Sequence, residues 1–226
     1  MKVMKVFCIV LARGGSKQIK KKNIIKLNNK PMLYYTIKEA LRSKLIHETW
    51  VSSDSDEILE YSKKIGANTI KRPLKYSKDN SSSESSWIHA VRYLKMIGKQ
   101  IDVVVAPQVT SPKRPEKIFD NAIKYFKVNK SDSLMSVNEI NQPNTWVKSK
   151  NSKIPKKKNH NSYKTRQSLE RTYNENGSFY IFKANEFLVQ KNRLFKKIGM
   201  FEMDKKFGFE VDDIEDLLIL KKIFKI

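Results

Sequence analysis

Apolar and polar positions fall along this chain in blocks whose spacing predicts strands and helices in turn. Residues 3–11 are a near-continuous apolar run, the pattern of a strand buried on both faces. Residues 12–29 are polar and contain glycine, which predicts a long loop. Pro31 suits the first turn of a helix, and Leu33, Ile37 and Leu41 give that helix an apolar face. Residues 49–52 predict a short second strand. Asp54 and Glu57 then form a capping-box-like start to a helix with Ile58, Tyr61 and Ile65 inside, and Gly66 ends it. A short strand over residues 68–71 meets Pro73.

Residues 87–97 predict a helix with Ile88, Val91 and Leu94 on one face. A further apolar run over 101–106 stops at Pro107. A helix is predicted over 115–126 and a strand over 133–137. Residues 177–182, 199–203 and 207–211 have strand patterns, and 214–224 reads as a closing helix. Strands alternating with helices predict an α/β fold, with a mainly parallel sheet covered on both faces. Residues 138–174 are polar, poor in periodicity and long for a plain loop. They are expected to form an arm, serving as a dimerisation element or a lid, on a single domain spanning 1–226.

Composition narrows the class. A chain of 226 residues can bury a sizeable core, and 39% apolar with 31% charged residues fits a soluble globular protein. No window approaches the roughly 18 consecutive apolar residues of a membrane span. The basic start and apolar run superficially mimic a signal peptide. The run is short, however, and Arg13 follows it with no small-residue cleavage site. The single Cys8 cannot form an internal disulfide, so a reducing cytoplasm is the expected compartment. The net charge of +23 comes mostly from Lys dispersed over the whole chain. Zinc-finger spacing, an RNP-type aromatic motif and a helix-turn-helix are all missing, so nucleic-acid binding is not expected as the main function.

In open parallel sheets, ligands bind beyond the carboxyl ends of the strands. The first apolar run is followed by Leu11-Ala12-Arg13-Gly14-Gly15-Ser16-Lys17 and then Lys20-Lys21-Lys22-Asn23. Adjacent glycines let backbone N–H groups approach an anion, and Ser16 adds a donor. Arg13, Lys17 and Lys22 spread positive charge along the loop, which suits a triphosphate. The spacing is neither that of a Walker A loop nor G-x-G-x-x-G. Asp54, after the second strand, reads as a helix N-cap. Arg72 follows the third strand. Asp79, Asn80, Ser81, Ser82 and Ser83 offer groups for a base or ribose, or form a serine-rich linker. After the fourth strand, Gln108 and Thr110, with Ser111, can hydrogen-bond a polyhydroxylated ligand. Glu210 and Asp212 alternate on a predicted strand, so both carboxylates face one side and suit a hard cation such as Mg²⁺. Helix capping is the other reading, because Asp212 and Asp213 stand at a helix start.

Together these segments resemble the acylneuraminate cytidylyltransferases, the CMP-sialic acid synthetase family that includes CMP-legionaminic and CMP-pseudaminic acid synthetases. The resemblance rests on Ala12 to Ile24, on Arg72-Pro73, on Asp79 to Ser83, on Gln108 to Arg114, on Arg166-Gln167-Ser168-Leu169, on Glu175-Asn176-Gly177-Ser178-Phe179-Tyr180-Ile181 and on Glu210-Val211-Asp212. The matches run in family order over nearly the whole chain. Gln18 and Lys20 stand where the family has Gly and Pro, and Glu210 where it commonly has Asp.

The resemblance implies a Rossmann-like three-layer sandwich of the nucleotide-diphospho-sugar transferase type. It also implies transfer of CMP from CTP to a 2-keto-3-deoxy nonulosonic acid for surface glycan synthesis. Arg13 and Lys22 would hold the phosphates, with Leu11, Ala12, Gly14, Gly15, Ser16, Lys17 and Asn23 completing the loop. Asp212, together with Glu210, would hold Mg²⁺. Arg72 and Ser81 to Ser83 would contact cytosine and ribose. Gln108, Thr110, Ser111, Arg166, Asn176, Gly177 and Tyr180 would line the sugar side. A homodimer joined through the arm is implied as well. The rival readings are a nucleotidyltransferase for another sugar or another nucleoside triphosphate, and a basic nucleic-acid-binding protein.

Overall fold

The first strand, β1 (Val6–Leu11), sends alternate side chains to opposite faces. Val6, Cys8 and Val10 enter one apolar cluster, and Phe7 and Ile9 enter another. A strand buried on both faces belongs at the centre of a three-layer fold. The computed structural model, which describes residues 3–16, 19–140, 146–147, 156–157 and 171–224, places it there.

The elements follow as a short hairpin of β2 (Lys26–Leu27) and β3 (Lys30–Pro31), then α1 (Met32–Arg42), β4 (Glu48–Ser53), α2 (Asp56–Lys64) and β5 (Asn68–Lys71). Next come α3 (Ser83–Met96), β6 (Val103–Pro107), α4 (Ile118–Val128) and β7 (Ser133–Ile140). The two-residue strands β8 (Trp146–Val147) and β9 (Lys156–Lys157) pair antiparallel. The chain closes with β10 (Thr172–Lys183), α5 (Ala184–Gln190), β11 (Ile198–Glu202) and α6 (Ile214–Ile223).

Seven strands form one sheet in the order β11-β7-β10-β6-β1-β4-β5. Every pairing in it is parallel except those of β10, which runs against both β6 and β7. Helices α1, α2, α4 and α6 supply buried residues to the cluster on one face, and α3 and α5 to the cluster on the other. The expected α/β three-layer sandwich is therefore present.

Several local expectations are corrected. Residues 207–211 do not form a strand: a turn precedes them, Gly208 takes a φ of +82°, and Val211 is tethered through its N–H to the carbonyl of Thr110 at 2.8 Å. Leu41 is 38% exposed, because the buried stripe of α1 runs through Met32, Leu33, Thr36, Ile37 and Ala40. The helix predicted over 115–126 begins only at Ile118, after Lys117 takes a left-handed conformation with φ of 59°. Helix α3 begins at Ser83, earlier than its apolar pattern, because Ser82 caps it by accepting the N–H of Ser85. The N-cap of α2 is Ser55, not Asp54.

Candidate active site

The carboxyl ends of β1, β5 and β6 open onto one cavity of about 290 Å³. The loop after β1 gives it Leu11, Arg13 and Asn23. Arg72 comes from the end of β5, and Tyr76 to Asp79 and Ser81 to Ser83 from the segment leading into α3. Gln108, Val109 and Thr110 come from the turn after β6, and Trp87 forms part of the wall. Ten of the residues singled out from the sequence thus meet in one place, although they lie on segments nearly 100 positions apart.

The loop after β1 is fixed by its backbone. Ala12 is buried and donates its N–H to the carbonyl of Ser52 at 3.1 Å. The carbonyl of Arg13 accepts from Nδ2 of Asn23 at 2.9 Å, and the N–H of Gly14 donates to Oδ1 of Asp54 at 3.0 Å. Gly15 is exposed and has open space where a Cβ would stand, so packing does not demand glycine there. Ser16 is half-buried. Lys17 and Arg166, with most of the 138–174 arm, lie outside the described residues.

Lys22 and Asp212 come together from opposite ends of the chain. Nζ of Lys22 donates to the carbonyls of Val211 at 2.7 Å and Asp212 at 3.2 Å, and lies 3.4 Å from Oδ1 of Asp212. Helix capping falls to Asp213, whose Oδ1 accepts the N–H of Asp216 at 2.9 Å, while Oδ2 of Asp216 accepts the N–H of Asp213. The side chain of Asp212 is left 67% exposed. Glu210 is turned inward, with Oε1 accepting from Oγ1 of Thr110 at 2.9 Å. Burial raises its pKa and the nearby Asp212 adds to the rise, while the Thr110 hydrogen bond opposes it. Gly177 lies against this carboxylate: a Cβ there would stand 2.3 Å from Oε2 of Glu210.

The remaining predicted residues sit on or beside β10. Asn176 is buried, and its Oδ1 accepts from Oγ of Ser136 at 2.6 Å and from the N–H of Ser178 at 3.1 Å. Its Nδ2 has no hydrogen-bond partner among the described residues. Ser111 is buried behind the turn that carries Gln108, its N–H directed to the Gln108 carbonyl. Tyr180 is buried in the cluster under α3, and its hydroxyl donates to Oε2 of Glu175 at 2.8 Å. Burial, then that hydrogen bond, push its pKa up to about 12. The guanidinium of Arg193 lies 4.7 Å from its ring.

Two residues were missed by the sequence reading. Arg114 is buried and fully engaged: it donates to Oγ and the carbonyl of Ser178, to the carbonyl of Gln108 and to Oγ1 of Thr36, at 2.7–2.9 Å. It staples the Gln108 turn to β10, and burial lowers its pKa to about 10. Its membership of the Gln108 to Arg114 motif was the available signal. Asp54 was read as a cap and instead faces the loop and Arg72. Among the described residues, no group of three or more His, Cys, Asp and Glu is arranged to hold a metal ion, and no helix is long and apolar enough to cross a membrane.

Residues 7–224 match the cytidylyltransferase family model. The chain belongs to this family. It is therefore a nucleotidyltransferase enzyme. The chain is 31% identical to a pseudaminic acid cytidylyltransferase of Campylobacter jejuni, over 99% of this chain and 97% of that protein. It is 30% identical to a CMP-N,N'-diacetyllegionaminic acid synthase of the same organism, over 96% and 93% of the two chains. A solved structure of a CMP:2-keto-3-deoxy-manno-octonic acid synthetase complexed with CTP matches with a TM-score of 0.75 and 15% identity, covering 98% of both chains. At that identity the likeness establishes the shared fold of the family enzyme, and the chemistry rests on the site.

Proposed function

We propose that this cytidylyltransferase activates a 2-keto-3-deoxy nonulosonic acid with CTP, releasing pyrophosphate and supplying the CMP-sugar for surface glycan synthesis. One observation carries the reading. Arg13, Arg72 and Gln108 line one cavity, and Thr110 on its wall is tied to Glu210 and Val211 beside the Lys22–Asp212 pair. Cationic groups and an exposed carboxylate thus converge on a site that also has polar groups for a base and a sugar.

The reaction needs no enzyme nucleophile. The C2 hydroxyl oxygen of the sugar bonds to the α-phosphorus, and the bond from that phosphorus to the bridging oxygen of the β-phosphate breaks. Pyrophosphate leaves with the electron pair, and the hydroxyl proton passes to solvent. Catalysis is positioning and charge neutralisation. Arg13 and Lys22 neutralise the departing pyrophosphate. Arg72 and Ser81 to Ser83 hold the nucleoside, and Gln108 and Asn176 face the sugar. A bound Mg²⁺ would offset phosphate charge. The residues present fit it: Asp212, an exposed oxygen donor that does not cap α6, and Glu210, a second carboxylate nearby, would hold this ion, which is usually bound through one or two carboxylates together with substrate phosphates. The reading includes a homodimer joined through the arm and a cytoplasmic location, the latter supported by a single cysteine, which cannot form an internal disulfide.

The test is sugar-dependent pyrophosphate release with each of four nucleoside triphosphates, across pseudaminic, legionaminic and sialic acids and 3-deoxy-octulosonate. Release with CTP and a nonulosonic acid is expected. Release with UTP or dTTP and a sugar 1-phosphate, and none with CTP, would overturn the reading.

A further inference from the structure

Asp54 belongs to none of the sequence motifs, and the helix after it does not need it. Oγ of Ser55 caps α2 by accepting the N–H of Ile58. Yet the Asp54 side chain is only 17% exposed, and a carboxylate withdrawn from water needs compensating partners. It has two. Oδ1 accepts the N–H of Gly14 at 3.0 Å, and the same oxygen lies 3.9 Å from Nη2 of Arg72, a side chain only 3% exposed.

The first partner has a particular consequence. The N–H of Gly14 and the carbonyl of Arg13 belong to one peptide unit, and that carbonyl is held by Asn23. A peptide unit is planar, so gripping both its ends fixes the plane from which the Arg13 side chain departs. The approach is possible only because residue 14 is glycine: a Cβ there would stand 2.8 Å from Cβ of Ser55. The second partner is pinned independently. The N–H of Arg72 donates to the carbonyl of Ser53 at 2.7 Å and its Nε to Oγ of Ser77 at 3.0 Å. Asp54 therefore stands where the phosphate loop and the nucleoside side of the cavity meet.

We infer that Asp54 is a positioning residue for both halves of the nucleotide site: through the Arg13–Gly14 peptide it aims Arg13 at the phosphates, and through Arg72 it holds the base side. This rests on the CTP reading above. Arg13 and Arg72 line the cavity and Asp54 does not, so its effect passes through the two arginines.

Three variants of the full chain test it: Asp54→Ala, Asp54→Asn and Gly14→Ala. Asp54→Ala is expected to lose at least about thirtyfold in kcat/KM for CTP, the scale of a misplaced catalytic group. The KM for the sugar should move less than about threefold, since the affected groups serve the nucleotide. CTP with Mg²⁺ should raise its Tm less than it raises that of the wild type. Asp54→Asn keeps an oxygen for the Gly14 N–H and should recover kcat to within about fivefold of wild type, leaving its deficit in the KM for CTP. Gly14→Ala should reproduce the Asp54→Ala loss with the carboxylate intact. Folded Ala variants with kcat/KM for CTP within about threefold of wild type, or an Asn variant as impaired as Ala, overturn the inference. If Asp54→Ala does not fold, Asp54→Asn and Gly14→Ala decide by the same criteria. If the wild type shows no sugar-dependent release at all, the proposed function fails. The CTP-induced Tm shift, compared between wild type and variants, then still reads the role of Asp54, and equal shifts overturn it.

Discussion

Nη1 of Arg13 lies 2.9 Å from Oδ1 of Asp79, and both residues line the same cavity. Their side chains are 35% and 45% exposed, so the pair is worth at most about 1 kcal/mol. A triphosphate offers Arg13 several charged oxygens and can take it over at little cost. Arg13→Ala should lower turnover by at least about a hundredfold. Asp79→Asn should change the KM for CTP less than about fivefold. Steady-state kinetics with CTP varied at saturating sugar measure both, and near-normal turnover in Arg13→Ala would remove the loop from the phosphate site.

Asp212 and Asp213 are neighbours with separable jobs. Asp213→Ala removes the cap of α6 and should cost about 1 kcal/mol in urea unfolding, with turnover near wild type. Asp212→Asn should leave the unfolding midpoint unchanged while abolishing Mg²⁺-dependent pyrophosphate release. An Asp212→Asn variant turning over normally at matched Mg²⁺ would take that residue out of the metal site.

The difference between these two residues also shows how far the sequence could be read. Apolar runs were enough to predict β1 and β6, because strands buried on both faces write such runs, and the alternation of blocks predicted β4 and the layered sheet. The loop at Arg13 was legible because glycines and cations cluster after such a strand. Asp54 was not legible as a structural hub. Asp54 and Ser55 are both good capping residues one position apart, and only the backbone geometry decides which one caps. Likewise, alternation at residues 207–211 looked like a strand, yet the segment finds no sheet edge and is held instead by Thr110 and Lys22.

Gly177 is held by two constraints at once, a φ of +61° and the Glu210 carboxylate where a Cβ would go. Gly177→Ala should destabilise the fold by about 1–2 kcal/mol from backbone strain alone. It should also displace Glu210 from Thr110. Urea denaturation checks the first effect. A variant as stable as wild type would refute the backbone-strain cost.

Asp120 predicts an acid limb in the stability curve. Burial by itself would raise its pKa. The Ser43 hydroxyl and the N–H groups of Lys44 and Leu45, at 3.2 and 3.1 Å, together outweigh burial and hold it below the ordinary aspartate range. A carboxylate depressed in the folded state stabilises above its unfolded pKa of about 3.9, and that stabilisation is lost as pH falls through the lower folded value. Asp120→Asn should be less stable than wild type by about 1–3 kcal/mol at pH 7. The difference should shrink as the pH drops below about 4. Urea titrations at stepped pH measure this, and a gap that stays constant down to pH 2 would refute it.

The reversed direction of β10 has a consequence for how this enzyme can change. Because β10 runs against its neighbours, its early residues, Asn176 to Ser178, arrive at the same end of the sheet where β1 and β6 finish, and Ser178 joins the Gln108 turn there. The nucleotide cavity is drawn mainly from β1, β5, β6 and the approach to α3, while β10 enters from the other half of the sheet. Arg114 ties the two stretches together, donating to the carbonyl of Gln108 on the β6 turn and to Ser178 on β10. On the proposed reading, substitutions at the β10 end, around Asn176, would alter the sugar side while Arg13 and Arg72 keep their places in the cavity. One scaffold would in this way serve several acid sugars without redesigning how it handles its activated donor.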